Sequence, residues 1–131
     1  ISKNAYGVSV GNTYVEISID QQHMWYYKNG KLVVETDVVT GNYGTNDTPK
    51  GAYSIIYKAS PATLMENSHV TFWLPFTSDG CGIHDASWRS SWEYGGTRYK
   101  GHGSHGCVNT PYNAAKKIYN NISSGTRVVV Y

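Results

Sequence analysis

Alternation of apolar and polar residues predicts strands in the first half of the chain. In residues 15–20 every second residue is apolar, which is the period of a half-buried strand. Two further apolar segments, residues 24–28 and 31–39, flank Asn29-Gly30, whose residue types favour the positive φ angles of a type I′ hairpin turn. The remaining predicted strands are residues 52–57, 70–74 and 127–131, with a short extended segment at 82–84.

One helix is predicted in the C-terminal half. Four apolar residues share one of its faces: Ala115, Ile118, Tyr119 and Ile122. Thr110 is expected to cap this helix, Pro111 suits its first turn, and Ser124-Gly125 ends it. The Gly-, Ser- and Trp-rich segment 87–106 is predicted to be a loop. These elements predict a mainly β fold, a sandwich or barrel-like mixed sheet with one short helix and one long loop.

Composition indicates one globular domain over residues 1–131, because 40% of the residues are hydrophobic and only 15% are charged. A net charge of +2 without a Lys/Arg cluster argues against nucleic acid as a partner. No apolar run approaches the roughly 20 residues of a membrane span, so no direct membrane insertion by this domain is expected. The N-terminus does not resemble a signal peptide, and we expect the chain to be a fragment of a longer protein.

Reactive side chains concentrate in Ser104-His105-Gly106-Cys107-Val108-Asn109, with His102 just upstream and His84-Asp85 before it. A thiol attacks as its thiolate, and a neighbouring imidazolium or helix N-terminus lowers its pKa from about 8.5. Gly106 permits backbone conformations that other residues avoid, as an oxyanion hole often requires. A thiol, imidazoles and an adjacent glycine suit acyl transfer. A lone cysteine is more often a small buried hydrophobe, so these residues alone leave catalysis and packing both open.

The segment 104–109 resembles the signature of the L,D-transpeptidase catalytic domain: Ser or Thr, His-Gly-Cys, a hydrophobic residue, and Asn or Arg. Ile83-His84-Asp85 is similar to the family's strand-ending histidine. Thr48-Pro49-Lys50-Gly51-Ala52-Tyr53 resembles its Thr-Pro-x-Gly-x-aromatic pattern. The three motifs follow the family's order, and the resemblance spans residues 15–131. The separation of positions 84 and 107 exceeds the usual family form, with the extra length in the loop 88–103.

The resemblance implies a role for each matching residue. Cys107 is the nucleophile, His84 is its base, and the backbone carbonyl of Asp85 orients the imidazole. The residues implied for the oxyanion environment are His105, Gly106 and Cys107, and those expected to bind substrate are Ser104, Asn109, Trp88 and Trp73. Segment 87–106 thereby becomes a long active-site loop. No cofactor and no metal are expected.

The implied reaction is peptidoglycan cross-linking. Cys107 attacks the carbonyl of the third residue of a tetrapeptide stem, a diamino acid, and expels the terminal D-Ala. Transfer of the thioester to a side-chain amine of a neighbouring stem gives a 3→3 cross-link. The implied partners are donor and acceptor stem peptides, and the implied inhibitors are carbapenems. We expect a monomer located outside the cytoplasm at the cell wall, exported or membrane-anchored in full length.

Three alternatives stay open at this point. Water in place of the amine would make the same site an L,D-carboxypeptidase. His102, His105 and Cys107, with His84, could instead bind zinc in a cell-wall hydrolase, although their spacing matches no standard finger. A non-catalytic wall-binding module would use the aromatic residues as a sugar platform and leave the thiol inert. Cys81 is interpreted as a packed thiol.

Overall fold

Most predicted strands are present in the computed structural model, which describes residues 4–5, 8–64, 69–104 and 106–131. In chain order they are β1 (Asn4–Ala5), β2 (Val8–Ser9), β3 (Tyr14–Ser18), β4 (His23–Lys28), β5 (Lys31–Asp37), β6 (Gly51–Ser54), β7 (Ala62–Thr63), β8 (His69–Val70), β9 (Trp73–Pro75), β10 (Gly82–Asp85), β11 (Val108–Thr110) and β12 (Arg127–Val130). The helices are a 3₁₀ turn at Ser91–Glu93, α1 (Tyr99–His102) and α2 (Tyr112–Asn121). The mainly β mixed architecture predicted from the pattern is confirmed.

Five strands form the larger sheet in the order β5-β4-β3-β12-β6, with β12 parallel to β3 and every other pair antiparallel. The turn between β4 and β5 has φ angles of 53° at Asn29 and 80° at Gly30, so the predicted positive φ angles are confirmed. One buried cluster joins this sheet to the smaller sheet and α2, through residues such as Ile17, Ile83 and Ile118.

Strand β3 differs from the predicted half-buried strand because both of its faces are covered. Glu16 and Ser18, predicted to face solvent, are buried alongside the apolar residues. The hydroxyl of Tyr131 donates to Glu16 Oε2 at 2.6 Å, which gives the buried carboxyl a polar partner. The alternation therefore located the strand correctly but misjudged one of its faces.

The smaller sheet has the order β11-β10-β9, with β10 parallel to β11 and antiparallel to β9. The single strand predicted at 70–74 is divided into β8 and β9. The division occurs where the backbone N–H groups of Thr71 and Phe72 donate to Asp85 Oδ1 at 2.9 and 2.8 Å. Those two donors bind a carboxylate instead of extending a strand.

The apolar face predicted for the helix is confirmed, since Ala115, Ile118 and Ile122 are buried. The prediction that Thr110 caps the helix is wrong. Thr110 belongs to β11, its hydroxyl donates to the Val108 carbonyl at 3.1 Å, and Pro111 occupies the cap position without a side-chain bond. Pairing of β11 with β10 overrides the local capping preference.

Within the segment predicted to be a loop, the described residues 87–104 include the 3₁₀ turn and α1. The strand predicted at 52–57 ends at Ser54. Over the described residues, no helix is both long enough and apolar enough to cross a membrane.

Candidate active site

The parallel pairing of β10 with β11 brings the motif residues together. His84 is the register partner of Asn109, so the two side chains lie on the same face of the smaller sheet. Cys107 immediately precedes β11 and lies beside the start of β10. Its thiol donates to the Gly80 carbonyl at 3.5 Å, and the N–H of Gly82 donates to the sulfur. Two motifs far apart in sequence thus form one site.

The imidazole of His84 is buried and held in one tautomer. Its Nδ1 lies 2.6 Å from the backbone carbonyl of Asp85. Because a carbonyl can only accept, Nδ1 carries the proton and Nε2 is left as a proton acceptor. Burial lowers the pKa of His84, the Arg89 charge adds to this, and the Asp85 carbonyl and carboxylate oppose it. The imidazole is therefore neutral at neutral pH, as a general base must be.

The thiol of Cys107 does not have the lowered pKa expected beside an imidazolium or a helix N-terminus. Burial raises its pKa to about 11, the Gly82 N–H partly offsets this, and Cys81 and Asp79 add to it. The helix α2 begins only after β11, so its N-terminus is not adjacent to the sulfur. A thiol that is neutral at neutral pH must give its proton to a base before it can act as a thiolate nucleophile.

Ser104 shapes the turn that carries Cys107. Its hydroxyl donates to the Cys107 carbonyl and accepts from the Gly106 N–H at 3.2 Å. Gly106 has a φ of +119°, and a Cβ there would lie 3.2 Å from Cys81 Sγ. Glycine is therefore required at position 106 by its own backbone and by its neighbour. His105, predicted for the oxyanion environment, lies outside the described residues.

Thr48 is a positioning residue that the sequence motif contained without showing its role. Its buried hydroxyl accepts from the Gly41 N–H at 2.9 Å and donates to the Gly106 carbonyl at 2.7 Å. The Thr-Pro motif thus supports the peptide that joins Gly106 to Cys107. The motif itself was the available signal, but the contact joins residues distant in sequence.

Replacing Thr48 by valine is expected to lower the free energy of unfolding by about 1–3 kcal/mol, because Gly41 N–H and the Gly106 carbonyl lose a buried partner. Modification of Cys107 by a thiol reagent should slow as well, since the turn loses its support. Denaturant unfolding and alkylation rates measure the two effects. Thr48→Ser keeps the hydroxyl and is the control; equal stability of the two variants would contradict the assigned role.

Two tryptophans flank the His84 imidazole. The ring centroids of Trp73 and Trp88 lie 5.9 and 5.7 Å from that of His84. Trp73 is buried and its Nε1 donates to the Tyr57 hydroxyl at 3.1 Å, so it offers little surface to a substrate. Trp88 is 51% exposed, so its ring forms the solvent-accessible side of the surroundings of His84. Of the two predicted aromatic contacts, Trp88 is the one whose ring meets solvent.

Arg89 also contacts the site, and no pattern in the sequence predicted this contact. With the Asn109 amide turned so that its oxygen faces the guanidinium, Arg89 Nε and Nη2 donate to that oxygen at 2.8 and 3.2 Å. Nη2 also donates to the carbonyl of His102 at 2.8 Å. Arg89 thus contacts only the backbone of His102, whose side chain is exposed on α1.

Among residues 8–64, 69–104 and 106–131, no three His, Cys, Asp or Glu side chains converge as metal ligands. His105, one of the ligands considered for zinc, is not part of those ranges. Cys81 and Cys107 are both free thiols, and Cys81 packs against the core as interpreted.

Comparison with known proteins shows the family to which the chain belongs. Residues 12–130 match the YkuD family, described as the L,D-transpeptidase catalytic domain. The crystal structure of a cysteine-to-serine mutant of Enterococcus faecium L,D-transpeptidase is 41% identical with a TM-score of 0.87, covering 93% of this chain and 50% of that one. The NMR structure of the catalytic domain from the E. faecium enzyme is 39% identical with a TM-score of 0.77, covering 91% and 96%. The L,D-transpeptidase of Stackebrandtia nassauensis is 27% identical with a TM-score of 0.75, covering 92% and 55%.

The chain therefore spans about half the length of the E. faecium protein in the crystal and nearly all of its catalytic domain. The comparison with curated proteins returned no significant match. Because the family match covers most of the chain and the fold is shared with these solved structures, the chain belongs to the YkuD family of L,D-transpeptidase catalytic domains and is an enzyme of the transpeptidase class.

Proposed function

We propose that the protein is a peptidoglycan L,D-transpeptidase acting through an acyl-enzyme on Cys107. The observation that carries the proposal is the commitment of His84 Nδ1 to the Asp85 carbonyl, on the strand that pairs with the nucleophile segment. This leaves Nε2 to receive the thiol proton. Family membership supports the same reaction class.

In the donor half-reaction, Cys107 Sγ attacks the carbonyl carbon of the third residue of a tetrapeptide stem. The thiol proton moves to His84 Nε2, and the carbonyl oxygen becomes an oxyanion in the environment of residues 105–107. His84 then protonates the departing amine of D-Ala as the carbon–nitrogen bond breaks. The product is a thioester on Cys107 and free D-Ala.

In the acceptor half-reaction, a side-chain amine of a neighbouring stem attacks the thioester and gives its proton to His84. The carbon–sulfur bond breaks, the sulfur recovers a proton, and the new amide is a 3→3 cross-link. Trp88 borders the bound stem. Asn109, which is 2% exposed, and Ser104, whose hydroxyl is bonded within the turn, support the site through contacts inside the protein. The proposed partners are donor and acceptor stems, met by a monomeric domain outside the cytoplasm at the cell wall.

Acylation by carbapenems is part of the proposal, because the catalytic domain from the E. faecium L,D-transpeptidase has been solved acylated by ertapenem. That structure is 39% identical to this chain with a TM-score of 0.75, and the match covers 92% of this chain. The β-lactam carbonyl would meet Cys107 as the stem carbonyl does.

The experiment is intact-mass analysis after incubation with a carbapenem, followed by product analysis with a disaccharide-tetrapeptide. We expect one covalent adduct on Cys107, release of D-Ala, and a 3→3 linked dimer. Tripeptide without dimer would make the protein an L,D-carboxypeptidase. No adduct and an unreactive thiol would favour the wall-binding module, and stoichiometric zinc in chelator-free protein would favour the hydrolase.

Replacing Trp88 by alanine is expected to reduce kcat/KM for the stem substrate by about 10-fold or more while leaving the melting temperature nearly unchanged. The ring is half exposed, so its removal leaves no large buried cavity, but it takes away the accessible wall beside His84. Steady-state kinetics and thermal unfolding are measured together. A lower melting temperature with normal turnover by the folded fraction would make Trp88 a structural peg.

A further inference from the structure

Arg89 links three parts of the molecule that meet at the candidate site. It belongs to the active-site loop, directly after Trp88, and its side chain is half-buried. Its guanidinium donates both to the Asn109 side chain in β11 and to the His102 carbonyl at the end of α1. A single side chain therefore ties the far end of the loop to the strand that follows the nucleophile.

The contact with Asn109 decides which way that amide points. An amide presents an acceptor oxygen on one side and a donor nitrogen on the other, whereas a guanidinium only donates. The Arg89 fork therefore selects the oxygen, and the amide nitrogen faces acceptor groups on the other side. Asn109 is 2% exposed and lies beside His84 in the register, so the orientation of its amide sets the polarity next to the base.

The Arg89 guanidinium also acts on the base through its charge. It adds to the burial that lowers the pKa of His84, against the opposing Asp85 carbonyl and carboxylate. The other charged or titratable groups around Arg89 are Glu93, Tyr94 and Arg98, all within the same loop. The rings packed on His84 are those of Trp73 and Trp88, which carry no charge.

We propose that Arg89 is a positioning residue for acylation of Cys107: its guanidinium fork orients the Asn109 amide and holds the active-site loop against β11. The inference rests on the proposed function, because it concerns the same acylation. It predicts that both the fork geometry and the positive charge matter, and that the two contributions can be separated by substitution.

The test uses Arg89→Gln and Arg89→Lys, with Arg98→Gln as the matched control. Arg98 lies in the same loop, with its guanidinium 5.3 Å from the centre of the Trp92 ring. Second-order rates of carbapenem acylation are measured from pH 5 to pH 8, with the melting temperature of each protein. Wild-type protein is assayed first; failure of its acylation would count against the proposed function rather than against Arg89.

Arg89→Gln is expected to acylate about 10- to 100-fold more slowly at neutral pH, the range for losing a hydrogen bond to a charged group. The fall of its acylation rate at low pH (the acid limb) should occur at higher pH than in the wild type, because no positive charge then opposes protonation of His84. Arg89→Lys keeps the charge without the fork, so its rate should fall while its acid limb stays near that of the wild type. Arg98→Gln should change neither.

Wild-type rates in Arg89→Lys would overturn the role of the fork, even if Arg89→Gln fails to fold. An unchanged pH profile in a folded Arg89→Gln protein would overturn the influence on the base. A lower melting temperature with a normal rate and pH profile in the folded fraction would reduce Arg89 to a structural clamp and contradict the proposal.

Discussion

Replacing Cys107 by alanine is expected to abolish both the carbapenem adduct and turnover of the stem peptide. Among the described residues, the other candidate groups are otherwise engaged: His84 is the proposed base, the Ser104 hydroxyl is bonded within the turn, and Cys81 packs against the core. Intact mass and product analysis measure the two losses, and the melting temperature checks that the variant folds.

Cys81→Ala is the matched control for this prediction. Cys81 is the other cysteine of the chain, and its sulfur lies against Gly106, the residue before Cys107. Its removal takes away a packed thiol and should leave acylation largely intact. An adduct that persists in the Cys107 variant and disappears in the Cys81 variant would reverse the assignment of the nucleophile.

Replacing His84 by alanine is expected to slow acylation by about two to four orders of magnitude, the usual contribution of a general base. The effect should be large because the raised pKa of Cys107 leaves almost no thiolate at neutral pH. His102→Ala should cost far less, since the structure uses the backbone carbonyl of His102 and leaves its imidazole exposed. Equal losses at both positions would show that the wrong histidine has been chosen.

The pH dependence follows from the direction of the His84 shift. The base is active when neutral, and its folded-state pKa lies below the usual value of 6.5. The acylation rate of the wild-type protein should therefore persist as the pH falls past 6.5 and decline only as it passes through the lowered value. Stopped-flow or mass-resolved rates between pH 4 and pH 8 measure this limb. A decline centred at or above 6.5 would contradict the buried, neutral imidazole.

The sequence predicted what local patterns control. The alternation in residues 15–20 located β3, Asn29-Gly30 located the hairpin turn, and the spacing of Ala115 and Ile118 located the buried face of α2. The short motifs around His84 and Cys107 pointed to two segments that the structure places side by side. Each of these features depends on neighbours within a few positions along the chain.

The features that the sequence did not predict depend on distant partners. Threonine is a residue type that often caps helices, yet pairing of its segment with β10 makes Thr110 a strand residue. Burial of Glu16 depends on what covers the second face of the sheet. The raised pKa of Cys107 reflects desolvation, which no motif displays. The Arg89 contact with Asn109 joins a loop of irregular sequence to a strand, and no periodicity announces it.

Asp85 divides its work between two parts of one residue. Its main-chain oxygen fixes the tautomer of His84, and its carboxylate accepts hydrogen bonds from the main-chain N–H groups of Thr71 and Phe72. Because these hydrogen bonds are made by backbone N–H groups and not by side chains, the residue at position 71 can vary during evolution without disturbing His84. Proline, which lacks the N–H, is the exception. Side-chain substitutions at positions 71 and 72 can therefore accumulate while the hydrogen bond that orients the His84 imidazole is kept.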